Sequence, residues 1–369
     1  MSGEFYRAGT DTQEEIMDIF SPLNLGRLQL SNRVVMAPMT RSRADADAVP
    51  TGMMVDYYAQ RASAGLIISE GIAPSASGLG YCRTPGLFNE AQVEAWSRVT
   101  TAVHAAGGKI VAQLMHVGRV ASHLNKPPGS ETVAPSAIPA QGEIYTDQAG
   151  MVPFDTPRVL RGGEIPWIVS EYRQATENAY AAGFDGVELH CTSGYLPAQF
   201  LSSGTNKRDD DYGGSVENRC RFPLQVLAAM ASVDGAERVG MRICPDNPFN
   251  DLYDEDPQRT FEQLLGGAAQ LQLAYLHVIR LPKGRVDNIA LGRHFFGDRL
   301  IVNDSYDFEE AAAAIAAGDV GAVSFGRPYI ANPDLVERFR EGATLARFDP
   351  RTLYAGGAAG YSDYPVREP

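Results

Sequence analysis

Eight short apolar runs recur along the chain, most of them followed by a segment of helical spacing, and this alternation limits the fold more than any other feature. The runs are Arg33–Thr40, Leu66–Gly71, Lys109–His116, Gly186–His190, Val239–Cys244, Ala274–Ile279, Arg299–Asn303 and Val320–Gly326. They are of strand length and apolar on both faces, the pattern of strands in a parallel sheet covered on both sides. The spacing predicts helices at Gly52–Ala64, Glu90–Ala106, Ile165–Ala182, Ser215–Ala231, Thr260–Leu273, Phe308–Ala317 and Pro333–Glu341. Asp307 with Glu310 three positions on reads as a capping box for the helix at Phe308. Eight strands alternating with helices over 369 residues predict a single α/β domain, a (β/α)8 TIM barrel. A doubly wound sheet with a second domain competes, but no G-x-G-x-x-G follows a strand.

Residues 1–18 read as a polar tail and 19–369 as the barrel. Phe20–Leu30 alternates like a small hairpin, placed to cap the bottom of the barrel. A Pro/Gly-rich excursion from about 120 to 163 interrupts the rhythm after the third strand, and loops of that length are commonly functional lids. Within it, Ile144–Tyr145 and Met151–Val152 flank Asp147–Gly150 as a second hairpin.

In a barrel the chemistry sits at the carboxyl ends of the strands. The fourth strand runs into a polar turn that presents His190, Ser193 and Tyr195. An imidazole, a hydroxyl and a phenol on one rim suit a site that grips an oxygen and delivers a proton. Thr40, Gln113, His116, Arg242 and Arg327 stand at or near the ends of other strands. Gln113 can donate and accept, as an amide-like heterocycle edge requires. Arg242, on an otherwise apolar strand, calls for an anionic partner. Gly326 and Arg327 follow the eighth strand, where barrels bind phosphate through backbone N–H groups. Taken singly, each of these residues is more simply a strand end satisfying its loop; together they imply a phosphorylated flavin or a similar cofactor.

Composition narrows the partners. The formal charge of -13 excludes nucleic acid as an expected partner. Four cysteines without C-x-x-C spacing, and first residues without a signal-peptide pattern, lead to an expected cytoplasmic protein with reduced thiols. Six histidines show no metal-ligand spacing, so no metal is expected. No run of 18 apolar residues occurs, so no membrane span is expected.

Five stretches carry a resemblance: Asn32–Arg41, Gln60–Glu70, Asp211–Arg219, Phe325–Arg327 with Ile330–Pro333, and Ala359–Pro365. In these the chain resembles the old yellow enzyme family of flavin-dependent ene-reductases, from about Ile19 to Pro365. The resemblance implies non-covalent FMN, reduced by NADPH or NADH, and an activated alkene as substrate. Hydride would pass from flavin N5 to the β-carbon and a proton from Tyr195 to the α-carbon. It places Thr40 beside flavin O4, Gln113 on the pyrimidine edge, Arg242 by N1 and O2, and Gly326 with Arg327 at the phosphate. Pro38, Met39, Gly71, Asn303, Asp304, Ser305, Phe325 and Tyr354 complete the implied cofactor contacts. His190 and Ser193 would hold the substrate's oxygen, with Tyr81 and Met115 lining the pocket. A monomer or homodimer is expected.

Three features depart from the family pattern. Ser193 stands where His or Asn is usual and so weakens the oxygen grip. Asn303-Asp304-Ser305 replaces a loop that usually brings glycine to the phosphate, with Asp304 expected to point outward. Met115 stands where tryptophan is common. Besides net alkene reduction, the residues leave open a biosynthetic isomerase or tailoring flavoprotein, a non-catalytic FMN binder and a flavin-free barrel lyase.

Overall fold

The computed structural model describes residues 17–367. The polar tail expected at 1–18 therefore lies outside the described residues, apart from Met17 and Asp18. Strands β1 (Leu23–Leu25) and β2 (Leu28–Leu30) form an antiparallel hairpin in which Leu23 faces Leu30 and Leu25 faces Leu28. Their four leucines pack with Val35, Leu66, Ile68, Val111, Tyr275 and Ile301 in an apolar cluster. This cluster seals the amino-terminal end of the barrel, as the alternation of the hairpin predicts.

The chain then runs β3 (Val34–Met36), α1 (Gly52–Ala59), β4 (Leu66–Ile72), α2 (Glu90–Ala105) and β5 (Ile110–Leu114). The excursion holds β6 (Val133–Ala134), β7 (Glu143–Thr146), β8 (Gly150–Pro153) and β9 (Arg158–Val159). There β7 and β8 make the expected hairpin, while β6 pairs in parallel with β9. The rhythm resumes with α3 (Ile165–Ala181), β10 (Gly186–His190), α4 (Leu196–Leu201), α5 (Val216–Asp234), β11 (Val239–Ile243) and α6 (Pro257–Gln270). It ends with β12 (Tyr275–Ile279), α7 (Asn288–Phe296), β13 (Leu300–Asn303), α8 (Phe308–Ala316), β14 (Ala322–Phe325), α9 (Arg327–Ala331) and α10 (Leu335–Arg340).

Eight of these strands close a parallel barrel in the order β3, β4, β5, β10, β11, β12, β13, β14, with β14 returning to β3. The outer faces of the strands bury the apolar stripes of the helices. On α3, for example, Ile165, Ile168, Tyr172, Ala175, Thr176 and Ala179 are buried at the i, i+3, i+4 spacing of an amphipathic helix. Inside the barrel Gly240 makes room for a ring, because a Cβ there would stand 2.2 Å from Tyr275 Cζ.

The structure corrects several boundaries. The first strand stops at Met36, before Pro38, which has no N–H to give to a ladder. Helix α6 begins at Pro257 rather than Thr260, because Asp256 caps it by accepting from the Arg259 N–H. Helices α4, α7 and α9 were not predicted. The capping box at Asp307 is half formed: Asp307 accepts from the Glu310 N–H at 2.8 Å, but the Glu310 carboxylate pairs with Arg280.

Candidate active site

A cavity of about 1510 Å³ opens at the carboxyl ends of the barrel strands. Pro38, Met39 and Thr40 reach it beyond β3, Gly71 from β4, Gln113 from β5 and Met115 just beyond. His190 ends β10, Ser193 and Tyr195 lie in the turn before α4, and Arg242 projects from β11. Asn303, Asp304 and Ser305 leave β13, Phe325 ends β14, and Gly326 and Arg327 open α9. Tyr81 comes from the loop after β4 and Tyr354 from the carboxyl-terminal segment. Each candidate cofactor, substrate or proton residue from the sequence thus borders one space. His116 does not: it is fully buried beside Ser77, and burial lowers its imidazole to about pKa 3.

The floor is cationic. Arg242 is 7% exposed and donates to Asn303 Oδ1 at 2.6 Å, and Asn303 in turn donates to the Ser324 carbonyl at 2.9 Å. Burial works against the guanidinium and lowers its pKa, while Glu188 supports the charge. Arg242 Nε and His190 Nδ1 are both buried without a hydrogen-bond partner. A buried polar group left unpaired costs about 1–3 kcal/mol, and two on one cavity mark the place of a polar ligand. They fit a flavin, whose ring offers acceptors to a cation and whose phosphate seeks the turn at Gly326 and Arg327.

The rim carries the proton chemistry. His190 and Tyr195 meet edge to face, with ring centres 4.8 Å apart. Burial, then Arg242 and His277, hold the His190 imidazole well below its ordinary pKa, so it is neutral at pH 7. Burial, then neighbouring Tyr81, push the Tyr195 phenol well above its ordinary range. The Tyr195 O–H donates to the Tyr81 oxygen at 3.2 Å. Ser193 has a left-handed backbone (φ 58°), and its carbonyl accepts from the Asn250 side chain at 2.8 Å. Gly194 lets the two loops touch, since a Cβ there would stand 2.5 Å from Asn250 Cβ.

Asp304 is exposed at the rim, and its carboxylate accepts from the Ser305 hydroxyl at 3.2 Å. Arg280 draws the carbonyls of both residues toward itself.

The sequence reading missed the walls. Tyr145, Met151 and Phe154 from the excursion, and Phe249 and Asn250 from the loop after β11, also border the cavity. The hairpin at β7 and β8 was legible, but nothing in its pattern told which side faces the mouth. Arg83 ties these walls together: it pairs with Asp147 and donates to the carbonyls of Ser42 and Tyr354. Buried Arg41 and Arg43 hold the same carboxyl-terminal segment through the carbonyls of Thr352, Leu353 and Gly360.

Known proteins resemble this chain over nearly its full length. Residues 18–346 match the NADH:flavin oxidoreductase / NADH oxidase family. The chain is 42% identical over 355 residues to a probable flavin mononucleotide-dependent alkene reductase of Leishmania infantum, covering 94% of this chain and 97% of that protein. It is 40% identical to 12-oxophytodienoate reductase 7 of Oryza sativa subsp. japonica, covering 94% of each. Among solved structures, morphinone reductase in complex with tetrahydroNAD superposes with a TM-score of 0.91 at 47% identity, over 95% of this chain and 98% of that one. An old yellow enzyme homologue from Zymomonas mobilis gives a TM-score of 0.91 at 42% identity, over 95% and 100%.

Proposed function

Because this chain belongs to the NADH:flavin oxidoreductase / NADH oxidase family, that of the old yellow enzymes, we propose that it is an FMN-dependent reductase of activated alkenes. The substrates are α,β-unsaturated carbonyl or nitro compounds, and NADPH or NADH is the reductant. One observation carries this reading. A cationic floor with an unpaired Arg242 Nε lies in the same cavity as an unpaired neutral imidazole and a protonated phenol.

Bound FMN supplies two-electron chemistry between a nicotinamide and the β-carbon of the alkene. Gln113 and Arg242 would hold its pyrimidine edge, Thr40 its O4 side, and Gly326 with Arg327 its phosphate. The fixed charge of Arg242 favours the reduced, more negative ring. His190 gives one N–H to the substrate oxygen, and the Ser193 hydroxyl and the Asn250 amide border the same cavity as candidate further donors. Tyr195 gives its proton to the α-carbon. Its O–H must turn from Tyr81 to do so, and Tyr81 can then donate to the phenolate left behind. Burial makes that phenolate costly, which favours prompt return of a proton from solvent.

The test is spectroscopic. Under anaerobic conditions NADPH or NADH should bleach the visible flavin band of the purified protein, and cyclohexenone should restore it. A band that neither nicotinamide bleaches, or that no enone or nitroalkene restores, refutes the proposal.

A further inference from the structure

Beneath the cavity a hydrogen-bonded chain crosses the barrel interior. Gln113 on β5 donates through Nε2 to Glu188 Oε1 on β10 at 2.7 Å. Glu188 Oε2 lies 3.0 Å from His277 Nδ1 on β12, and His277 Nε2 lies 2.8 Å from Ser324 Oγ on β14. Glu188 and His277 are fully buried and do not border the cavity, whereas Gln113 and Ser324, at the two ends, do. Burial opposes ionisation of Glu188, yet His277, Arg242 and Gln113 together hold its carboxyl below the ordinary range. Burial also keeps His277 below its ordinary pKa, so the pair carries one negative charge. The partners then assign the protons: Nδ1–H faces the carboxylate, and Nε2 accepts from the serine.

A buried carboxylate is a poor choice for stability, since apolar residues of similar volume usually serve as well or better. The adjoining layer of this barrel is otherwise apolar, with Val35, Leu66, Ile68, Val111 and Ile301 around Tyr275, whose buried phenol faces Glu188. The charge sits only where the barrel meets the cavity. It does two things there. The Gln113 amide cannot flip, because a flip would set its carbonyl oxygen against the carboxylate. The guanidinium of Arg242 also gains a permanent counter-charge from below.

We infer that Glu188 is a positioning residue of the cofactor site, fixing which way the Gln113 amide faces and offsetting the Arg242 charge felt by the flavin. This rests on the proposed placement of FMN against Gln113 and Arg242.

Two variants separate the two effects, with thermal melting and circular dichroism as controls for folding. Glu188→Gln removes the charge and keeps the shape; the flavin midpoint potential should rise, because Arg242 then acts uncompensated. Glu188→Asp keeps the charge but withdraws it from Gln113. FMN should then bind about tenfold more weakly, the size of one lost hydrogen bond to a charged group, with little change in potential. If Glu188→Gln does not fold, Glu188→Asp alone decides through FMN affinity. Wild-type affinity and potential in the Glu188 variants, or a fall in potential in Glu188→Gln, overturn the inference. Gln113→Leu and Arg242→Met locate the failure. If they alter FMN affinity or potential while the Glu188 variants do not, the cofactor placement stands and the Glu188 link falls. If they alter neither, the placement fails and takes the inference with it.

Discussion

Glu70 should make the protein less stable as pH rises. Its side chain is fully buried on β4, where Oε1 accepts from the Tyr58 hydroxyl at 3.3 Å and Oε2 has no partner. Burial raises its carboxyl from 4.5 to about 7, against the opposing pull of Arg41, Tyr58 and Arg43. Between those two values the folded chain holds a proton that the unfolded chain has lost. Unfolding therefore releases the proton that the fold retained, so stability falls with rising pH at about 1.4 kcal/mol per unit. Over the shift of roughly 2.5 units this comes to about 3 kcal/mol, fully incurred above pH 7. For a chain of this length, that corresponds to a melting-point change of about 4 °C. Glu70→Gln removes the titration while keeping the shape. Thermal melts of both proteins from pH 5 to pH 8 should show the wild type losing stability relative to the variant by most of that amount, about 2.5 kcal/mol, part having been lost already below pH 5. Parallel curves across the window would refute the reasoning, because Glu70 would then titrate alike in the folded and unfolded chains.

The other predictions concern the cavity. Tyr195→Phe should leave flavin reduction by NADPH near the wild-type rate and slow enone reduction by about 10²–10⁴-fold, measured as separate half-reactions in stopped flow; equal slowing of both would make Tyr195 a wall rather than the proton donor. Arg242→Met should weaken FMN retention or lower the flavin midpoint potential, read by fluorescence titration and by equilibration with a reference dye. Ser193→Asn should raise kcat/KM for a small cyclic enone, because asparagine brings an amide donor and tolerates the left-handed backbone better than serine. Asn250→Ala should lower kcat/KM for the same substrate with little effect on reduction by NADPH.

The parallel sheet was legible because its strands are short and apolar on both faces, and the barrel because eight of them alternate with helices with no G-x-G-x-x-G after a strand. The helices that escaped prediction lacked the corresponding signal. All six residues of α4 are buried, so no polar face marks it as helical. Helix α9 has five residues and opens with Arg327 and Pro328, which read as the end of a strand turn. Helix α7 contains Gly292, whose missing side chain reads as a break; in the fold it lets the helix press against β13, where a Cβ would stand 2.9 Å from Leu300 Cδ1. Residues on strand ends were findable because period and polarity give their direction. Phe249 and Asn250 were not, since they lie in a loop whose course depends on left-handed residues at Asp246, Asn250 and Asp251. Buried Arg119 anchors that loop through the carbonyls of Asn250 and Asp251, a contact between residues more than 130 positions apart.

Ser193 shows how far a departure in sequence can be followed. The pattern alone says that a long donor has been replaced by a short one. The fold adds that the backbone there is left-handed and that its carbonyl is held by Asn250. That bond uses one of the two protons on the Asn250 amide nitrogen, and the same side chain also hydrogen-bonds the Tyr81 hydroxyl, from which a substrate oxygen would have to draw it. The same loop therefore brings an amide to the side of the cavity where the family pattern would have put one at position 193. A substrate oxygen gripped by His190 and Asn250 would sit differently from one gripped by His190 and residue 193, because the two donors come from β11 and β10 respectively. The replacement then changes where the alkene lies over the floor rather than only how tightly it is held. Comparing the Ser193→Asn and Asn250→Ala variants across a set of enones with different ring sizes tests this. A uniform change in rate for every substrate would favour loss of grip alone, whereas a reordering of substrates would favour a shifted pose.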